Sequence, residues 1–274
     1  MTSKVVHVGL LATCLVDLMR PSVGFAAVKL LRAAGCQVTV PATQTCCGQP
    51  AYNGGDRSCA RALARDVIAA FEGFDYVVVP SGSCAAMVRR HYPALFEPAL
   101  FEPTLSEDDA AMAARAEALA ARTYELTAFL VDVLDAGPCA ETFDGTVAYH
   151  DSCSALRELG IAEQPRRLLA ALEGAGLREA EDAEACCGFG GAFCVKYEDI
   201  SDAMVVKKIH ALAASGADTV VSTDLGCLLQ IAGKLARAGA TMRVRHIAEL
   251  LAGTGSNPAI GEAGGESGGD SGGD

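Results

Sequence analysis

The sequence predicts an α/β protein of two tandem, pseudo-symmetric βαβ-type modules with mostly parallel sheets, and three observations predict it. A cysteine pattern recurs: Cys14, Cys46-Cys47-Gly48 and Cys84 are matched by Cys153, Cys186-Cys187-Gly188 and Cys227, at offsets of 139, 140 and 143 residues. Within each copy, short apolar runs alternate with segments of helical spacing, the order that βαβ units produce. The motif cysteines follow the apolar runs and so fall at strand carboxyl ends, where open α/β sheets place their ligands.

In the first copy, residues 4–11 form a short β-rich apolar run closed by the Cys14 loop and Pro21. Residues 23–34 have helical spacing, with Val23, Ala27, Leu30 and Leu31 on one face and Gly35 as the stop. Residues 36–40 read as a second strand, followed by the Cys46-Cys47-Gly48 loop and a helix over 56–71. Residues 76–80 are almost continuously apolar, the mark of a strand buried on both faces of a parallel sheet, and a helix begins at Ala85. The second copy repeats the order: a strand at 146–149, a helix at 165–172, a weak strand at 177–179, the second cysteine loop, a helix at 200–214, the strand Thr219–Ser222 and a helix at 228–238. Between the copies lies a helix-rich stretch, 106–134, with Ser106 followed by Glu107 and Asp108 as its N-terminal start. Residues 127–135 resemble 247–252, so each copy is expected to end in a similar helix. The expected division is 1–137, 138–260 and a disordered Gly/Ser/acidic tail, 261–274.

With 274 residues, 51% hydrophobic and 20% charged, the chain is globular and long enough for two cores. A formal charge of −12 excludes a nucleic-acid partner, because a phosphate backbone needs a Lys/Arg surface. An acidic surface suits a basic protein partner and is equally ordinary for a cytosolic enzyme. No run approaches the ~20 apolar residues of a membrane span, so direct membrane insertion is not expected. Residues 1–11 carry Lys4 as their one base and run into Cys14 without a cleavage-type site, which predicts a cytoplasmic protein. Disulfides are disfavoured there, so twelve cysteines point to metal or redox chemistry.

Each copy supplies four thiolates from three strand ends: Cys14, Cys46, Cys47 and Cys84, then Cys153, Cys186, Cys187 and Cys227. Soft thiolate sets favour iron–sulfur clusters or zinc. Adjacent cysteines diverge along an extended chain, which suits different irons of one cluster better than a single zinc, where Cys-x2-4-Cys spacing is usual. Gly48, Gly82 and Gly226, with Gly188, Gly190 and Gly191, allow backbone N–H groups to approach sulfur and tune its potential. Two such sites suit sequential electron transfer. The alternative is structural zinc, in both halves or in one. His150, just before Cys153, is a candidate cluster donor or acid/base, and Lys196 and Tyr197 are candidates for offsetting charge or anchoring an anion. Cys36, Cys59, Cys139 and Cys194 read as non-ligands. Gly188-Phe189-Gly190-Gly191 lacks both the Gly-Lys-Ser/Thr ending and a Gly-x-Gly-x-x-Gly frame, so no nucleotide site is expected.

Four segments carry a family resemblance: Thr13-Cys14-Leu15-Val16-Asp17, Cys46-Cys47-Gly48-Gln49-Pro50-Ala51-Tyr52-Asn53, Pro80-Ser81-Gly82-Ser83-Cys84 and Cys186-Cys187-Gly188-Phe189-Gly190-Gly191. Over residues 5–251 the chain resembles the CCG cysteine-rich domain family, which heterodisulfide reductases share with the glycolate oxidase iron–sulfur protein, and most closely its lactate-utilisation branch. The resemblance implies a cytoplasmic electron-transfer subunit of a complex oxidising L-lactate to pyruvate, with ferredoxin-like B and C components as partners. It also leaves open a disulfide or thiol reductase, and a zinc-stabilised interaction module stands as the third reading. In the heterodisulfide reductase relatives the motif ends Cys-x-x-Cys, and five cysteines hold a non-cubane 4Fe–4S cluster. Here the penultimate position holds Ser81 in one copy and Asp224 in the other. Four thiolates suffice for a cubane 4Fe–4S cluster; an oxygen ligand from Ser81 or Asp224 completes a non-cubane one, and an open position exposes an iron to substrate.

Overall fold

Two four-stranded sheets, parallel at every pairing, frame the molecule in the computed structural model, which describes residues 5–98, 107–254 and 257–262. The expected helix start at Ser106 and the tail from residue 263 lie outside the described residues. The first sheet comprises β1 (His7–Leu10), β2 (Gln37–Thr39), β3 (Tyr76–Val79) and β4 (Thr123–Glu125), in the order β2-β1-β3-β4. The second comprises β5 (Thr142–Tyr149), β6 (Glu173–Leu177), β7 (Thr219–Ser222) and β8 (Arg243–His246), in the order β6-β5-β7-β8. The repetition thus extends from the cysteines to the topology, as the α/β duplication requires. In each sheet the connections reverse direction between the first and third strands, which opens a crevice at their carboxyl ends.

Local chemistry explains most of the elements. The strands β1, β3 and β7 are buried over three or four consecutive residues, as their apolar runs predict. The helix Arg57–Phe71 starts where the Asp56 carboxylate accepts from Cys59 N–H at 2.9 Å, and Pro21 opens the helix Pro21–Ala33 with its fixed φ. Two expectations shift. The weak strand at 177–179 is β6, which lies N-terminal to that position because Gly174 and Gly176 give no apolar signal there. The fourth strands, β4 and β8, went unread because they are short and carry Thr123, Glu125, Arg243 and Arg245. They run directly into the helices Leu126–Ala128 and Ile247–Leu251 that the sequence does predict.

The halves interlock around a shared core that joins residues such as Val8, Leu30 and Phe129 to Val147, Leu228 and Ile247. The helix Pro21–Ala33 packs on Ile247–Leu251 of the other half, and Glu163–Ala170 packs on Leu126–Ala128. Polar pairs follow both contacts: Arg20 with Glu249 at 2.9 Å, and Gln164 with Asp132 at 2.9 Å. Among the described residues no helix is long and apolar enough to cross a membrane.

A third contact brings the cysteine-bearing helices together. Helix Gly82–Ala86 lies against helix Cys153–Leu159 so closely that a Cβ on Gly82 would stand 2.6 Å from Ala155 Cβ and 3.3 Å from its backbone. Gly82→Ala is therefore expected to wedge the halves apart at a cost of about 1–3 kcal/mol, outweighing the better helix propensity. Thermal unfolding checks this, and Ala155→Gly added to the same chain should recover part of the loss.

Candidate metal centres

Each sheet delivers its cysteines in the same way. Cys14 opens a helix four residues past β1, Cys46 and Cys47 lie in the loop after β2, and Cys84 sits in the helix after β3. Thr13 precedes Cys14 at φ +71°, a costly conformation for a β-branched residue, and its hydroxyl accepts from Val16 N–H. The four sulfurs approach in two pairs, Cys14–Cys46 at 3.7 Å and Cys47–Cys84 at 3.3 Å. Gly48, at φ +83°, turns its N–H towards Cys46 Sγ at 3.5 Å, a turn that favours glycine. The thiol hydrogen bonds of Cys14 and Cys47, with the Gly48 N–H, bring Cys46 down to about 2; the same bond and burial push Cys14 up. Thiols packed this closely compete for protons and charge, a competition that a soft cation accepting all four thiolates relieves.

The second half repeats the set with Cys153, Cys186, Cys187 and Cys227 after β5, β6 and β7. Gly188, at φ +84°, directs its N–H at Cys186 Sγ at 3.4 Å, and hydrogen bonds from Cys153 and Cys187 bring Cys186 down to about 2. Here a nitrogen joins the sulfurs. His150, Cys187 and Cys227 place their ligating atoms within 4.8 Å of one another, and all three residues are buried. Burial, with the Lys208 charge, lowers His150 to about 3, which keeps the imidazole neutral.

Both sets open onto adjoining cavities between the halves, of about 250 and 360 Å³. Gln49, Ser83, Phe189, Gly191 and Asp224 line both, so these residues form the wall between the two cysteine sets. Both predicted oxygen donors accept from the first turn of helix Gly82–Ala86. Ser81 Oγ accepts from Cys84 N–H at 3.4 Å. Asp224 Oδ2 accepts from Ser83 N–H of the other half at 2.8 Å and from the Ser152 hydroxyl at 3.4 Å. Gly82 faces Ala155, and Gly226 stands against the Phe189 ring. Lys196 and Tyr197 are exposed, lining a depression that holds no cysteine. Of the remaining cysteines, Cys36 is in the core, Cys59 is exposed, Cys139 is half-buried, and Cys194 Sγ donates to Gly191 O at 3.2 Å.

Several residues that matter here carry no motif. Lys208 looks like half of a solvated Lys-Lys pair, yet it is buried, with Nζ donating to Asp182 O at 2.8 Å and Ala183 O at 3.0 Å at the start of the Cys186 loop. Tyr92 hydroxyl holds Cys47 O at 2.9 Å. His246, ending β8, directs Nε2 at Pro80 O of the other half at 3.2 Å and at Thr223 O at 3.1 Å, while Nδ1 accepts from Ala248 N–H. Its counterpart ending β4 is Glu125, whose Oε2 accepts from Thr127 and Ala128 N–H. Only the helical pattern downstream hints at either capping role.

Glu125 yields a pH test. Complete burial raises its carboxyl from 4.5 to about 7. The folded protein therefore holds this proton more tightly than the unfolded chain. The stability it confers is full below pH 4.5 and is lost as pH rises through 7, about 3 kcal/mol in all. Glu125→Gln should flatten this difference in urea unfolding midpoints measured at pH 5 and pH 8.

The donor set fits a soft metal or cluster: four thiols per half, N–H groups aimed at sulfur, and a buried neutral imidazole whose two nitrogens lack any hydrogen-bond partner. Fold and sites together define a duplicated, all-parallel α/β protein whose sheet ends carry paired four-cysteine sets suited to a metal or cluster. A family model described as a cysteine-rich domain, CCG, matches residues 8–89 and again 147–232. The chain is 46% identical to a lactate utilization protein A of Geobacillus kaustophilus and 43% identical to that of Bacillus cytotoxicus, each over 89% of this chain and 98% of the relative. Identity to the Exiguobacterium protein of that name is 44%, over 89% of this chain and 96% of the relative. The chain belongs to the CCG cysteine-rich domain family.

Proposed function

We propose that this chain is an iron–sulfur electron-transfer subunit of a cytoplasmic complex that oxidises L-lactate or a related 2-hydroxy acid, dividing into halves near residue 137. The observation that carries the reading is the pair of four-thiolate sets on either side of one wall, in a chain whose relatives are named for lactate utilization. A bound 4Fe–4S cluster would supply one-electron chemistry to each set. Cys14, Cys46, Cys47 and Cys84 would hold one, and Cys153, Cys186, Cys187 and Cys227 the other. Ser81 and Asp224 keep lone pairs for an iron beside their capping bonds. Gly48 and Gly188 N–H groups would draw charge from Cys46 and Cys186, and the Ser83–Asp224 hydrogen bond ties the wall between the two sets. The expected electron partners are the ferredoxin-like B and C components of the same complex.

Anaerobically purified protein is expected to carry on the order of eight irons and eight acid-labile sulfides, four of each per half, with EPR signals from two centres. Stoichiometric zinc without sulfide would overturn the reading. A second reading, disulfide reduction by the chain itself, draws on the 360 Å³ cavity that opens onto Cys153, Cys186, Cys187 and Cys227. It requires the isolated chain to reduce a small disulfide with an artificial electron donor.

A further inference from the structure

The duplication aligns the halves closely enough to expose where they differ. Leu11 N–H donates to Val78 O at the end of β1, and His150 N–H donates to Val221 O at the end of β5. Leu11 and His150 therefore occupy the same structural position, three residues before the first cysteine of each set, and both are completely buried. One half fills it with an aliphatic side chain and the other with an imidazole. The helix behind follows suit. Ala60 touches Gly48 as Ser201 touches Gly188, and that register sets buried Val67 opposite buried Lys208.

A neutral imidazole has one N–H donor and one acceptor lone pair. In His150 neither nitrogen has a partner, although each is fully enclosed. Leaving a buried polar atom unsatisfied is costly, and such atoms in folded proteins call for an explanation. The ring is not simply packed as a hydrophobe among hydrophobes: its nitrogen lies within 4.8 Å of Cys187 and Cys227 sulfurs, in the one such grouping of three ligating atoms among the described residues. Asp224 and Ser152, which line the same cavity as Cys153, are already bonded to each other, and Asp224 also to Ser83. His150 has no competing attachment.

We propose that a ring nitrogen of His150 is a ligand to the metal centre of the second half, beside Cys187 and Cys227, and that the two centres are inequivalent by construction because Leu11 supplies no such ligand to the first. The inference rests on the iron–sulfur reading above and deepens it. The Lys208 ammonium acts on the same His150, where the first half has buried Val67, and a positive charge beside a centre favours its reduced state. The second centre is then the one at higher potential, and electrons entering the first half run towards it.

The test uses the full chain, purified anaerobically, with and without 15N-histidine. Pulsed EPR of the reduced wild-type protein should show a directly coordinated nitrogen on one of two centres, changed by the label. His150→Leu, which copies the first half, should abolish that coupling and shift the potential of one centre while leaving the other unmoved. Two full clusters with no histidine coupling in the wild type would overturn the inference and leave the electron-transfer reading standing. Zinc without sulfide would remove both. Should His150→Leu fail to load its second centre, the wild-type 15N measurement still decides the matter.

Discussion

Cys187→Ala is expected to strip one of the two centres and leave about half of the iron and acid-labile sulfide. Cys187 is buried and its thiol is pushed up by its bonds to Cys186 and Cys227 as well as by burial, so a metal binds there by displacing a tightly held proton. Its loop between β6 and helix Phe193–Lys196 has no regular structure and is tied by single contacts: Lys208 on Asp182 O, Arg157 on Glu184 O and Ser201 Oγ on Gly188 O. Metal affinity and local folding are one free energy at such a site, of order 10 kcal/mol for structural thiolate sites. The variant should therefore lose protease resistance near residues 178–193 as well as colour. Cys47→Ala should remove the other half of the iron, with Tyr92 losing the ordered carbonyl it holds. Cys36, by contrast, is a core residue beneath the first sheet, and Cys36→Ala should retain all the metal. If Cys36→Ala stripped iron as fully as Cys187→Ala, the ligand assignment would fail.

The convergence of these cysteines was legible in the sequence because it follows a local rule: a strand, a turn and a cysteine at its end. Three such rules repeated at nearly one offset survive without knowledge of the fold. What was not legible depends on partners distant in sequence. The glycines of β6 hide a strand that exists because β5 lies beside it, and Thr123–Glu125 and Arg243–His246 become strands only as the outer neighbours of β3 and β7. Lys207 and Lys208 look alike, yet one is solvated and the other buried under the second cysteine set, a distinction set by the loop carbonyls of Asp182 and Ala183. The repeat also concealed something. Matching Cys153 to Cys14 draws the eye to what is shared, whereas the replacement of Leu11 by His150 becomes informative only when the strand registers are superposed and the ring is found without a partner.

Arg20→Met is expected to cost about 3–5 kcal/mol, because it strands a buried carboxylate at the seam between the halves. Glu249 is fully buried, and its oxygens are held by Arg20 Nε at 2.9 Å, Arg20 Nη2 at 3.2 Å and Ser22 Oγ at 2.7 Å. Arg20 is itself anchored to Pro258 O at 2.6 Å. For a domain of this size such a loss lowers the melting temperature by roughly 10 °C. The double variant Arg20→Met/Glu249→Met should recover most of it, since a buried pair replaced by apolar side chains of similar volume is often neutral. The consequence for the site follows from position. Arg20 caps the C-terminal end of the helix whose first residue is Cys14, so the clamp that joins the halves also fixes one of the first set's cysteines. Single-variant protein warmed stepwise should accordingly release iron from the first centre before the second, whose cysteines β5, β6 and β7 hold without this clamp. Simultaneous release would show that the seam and the first cysteine set are not coupled through that helix.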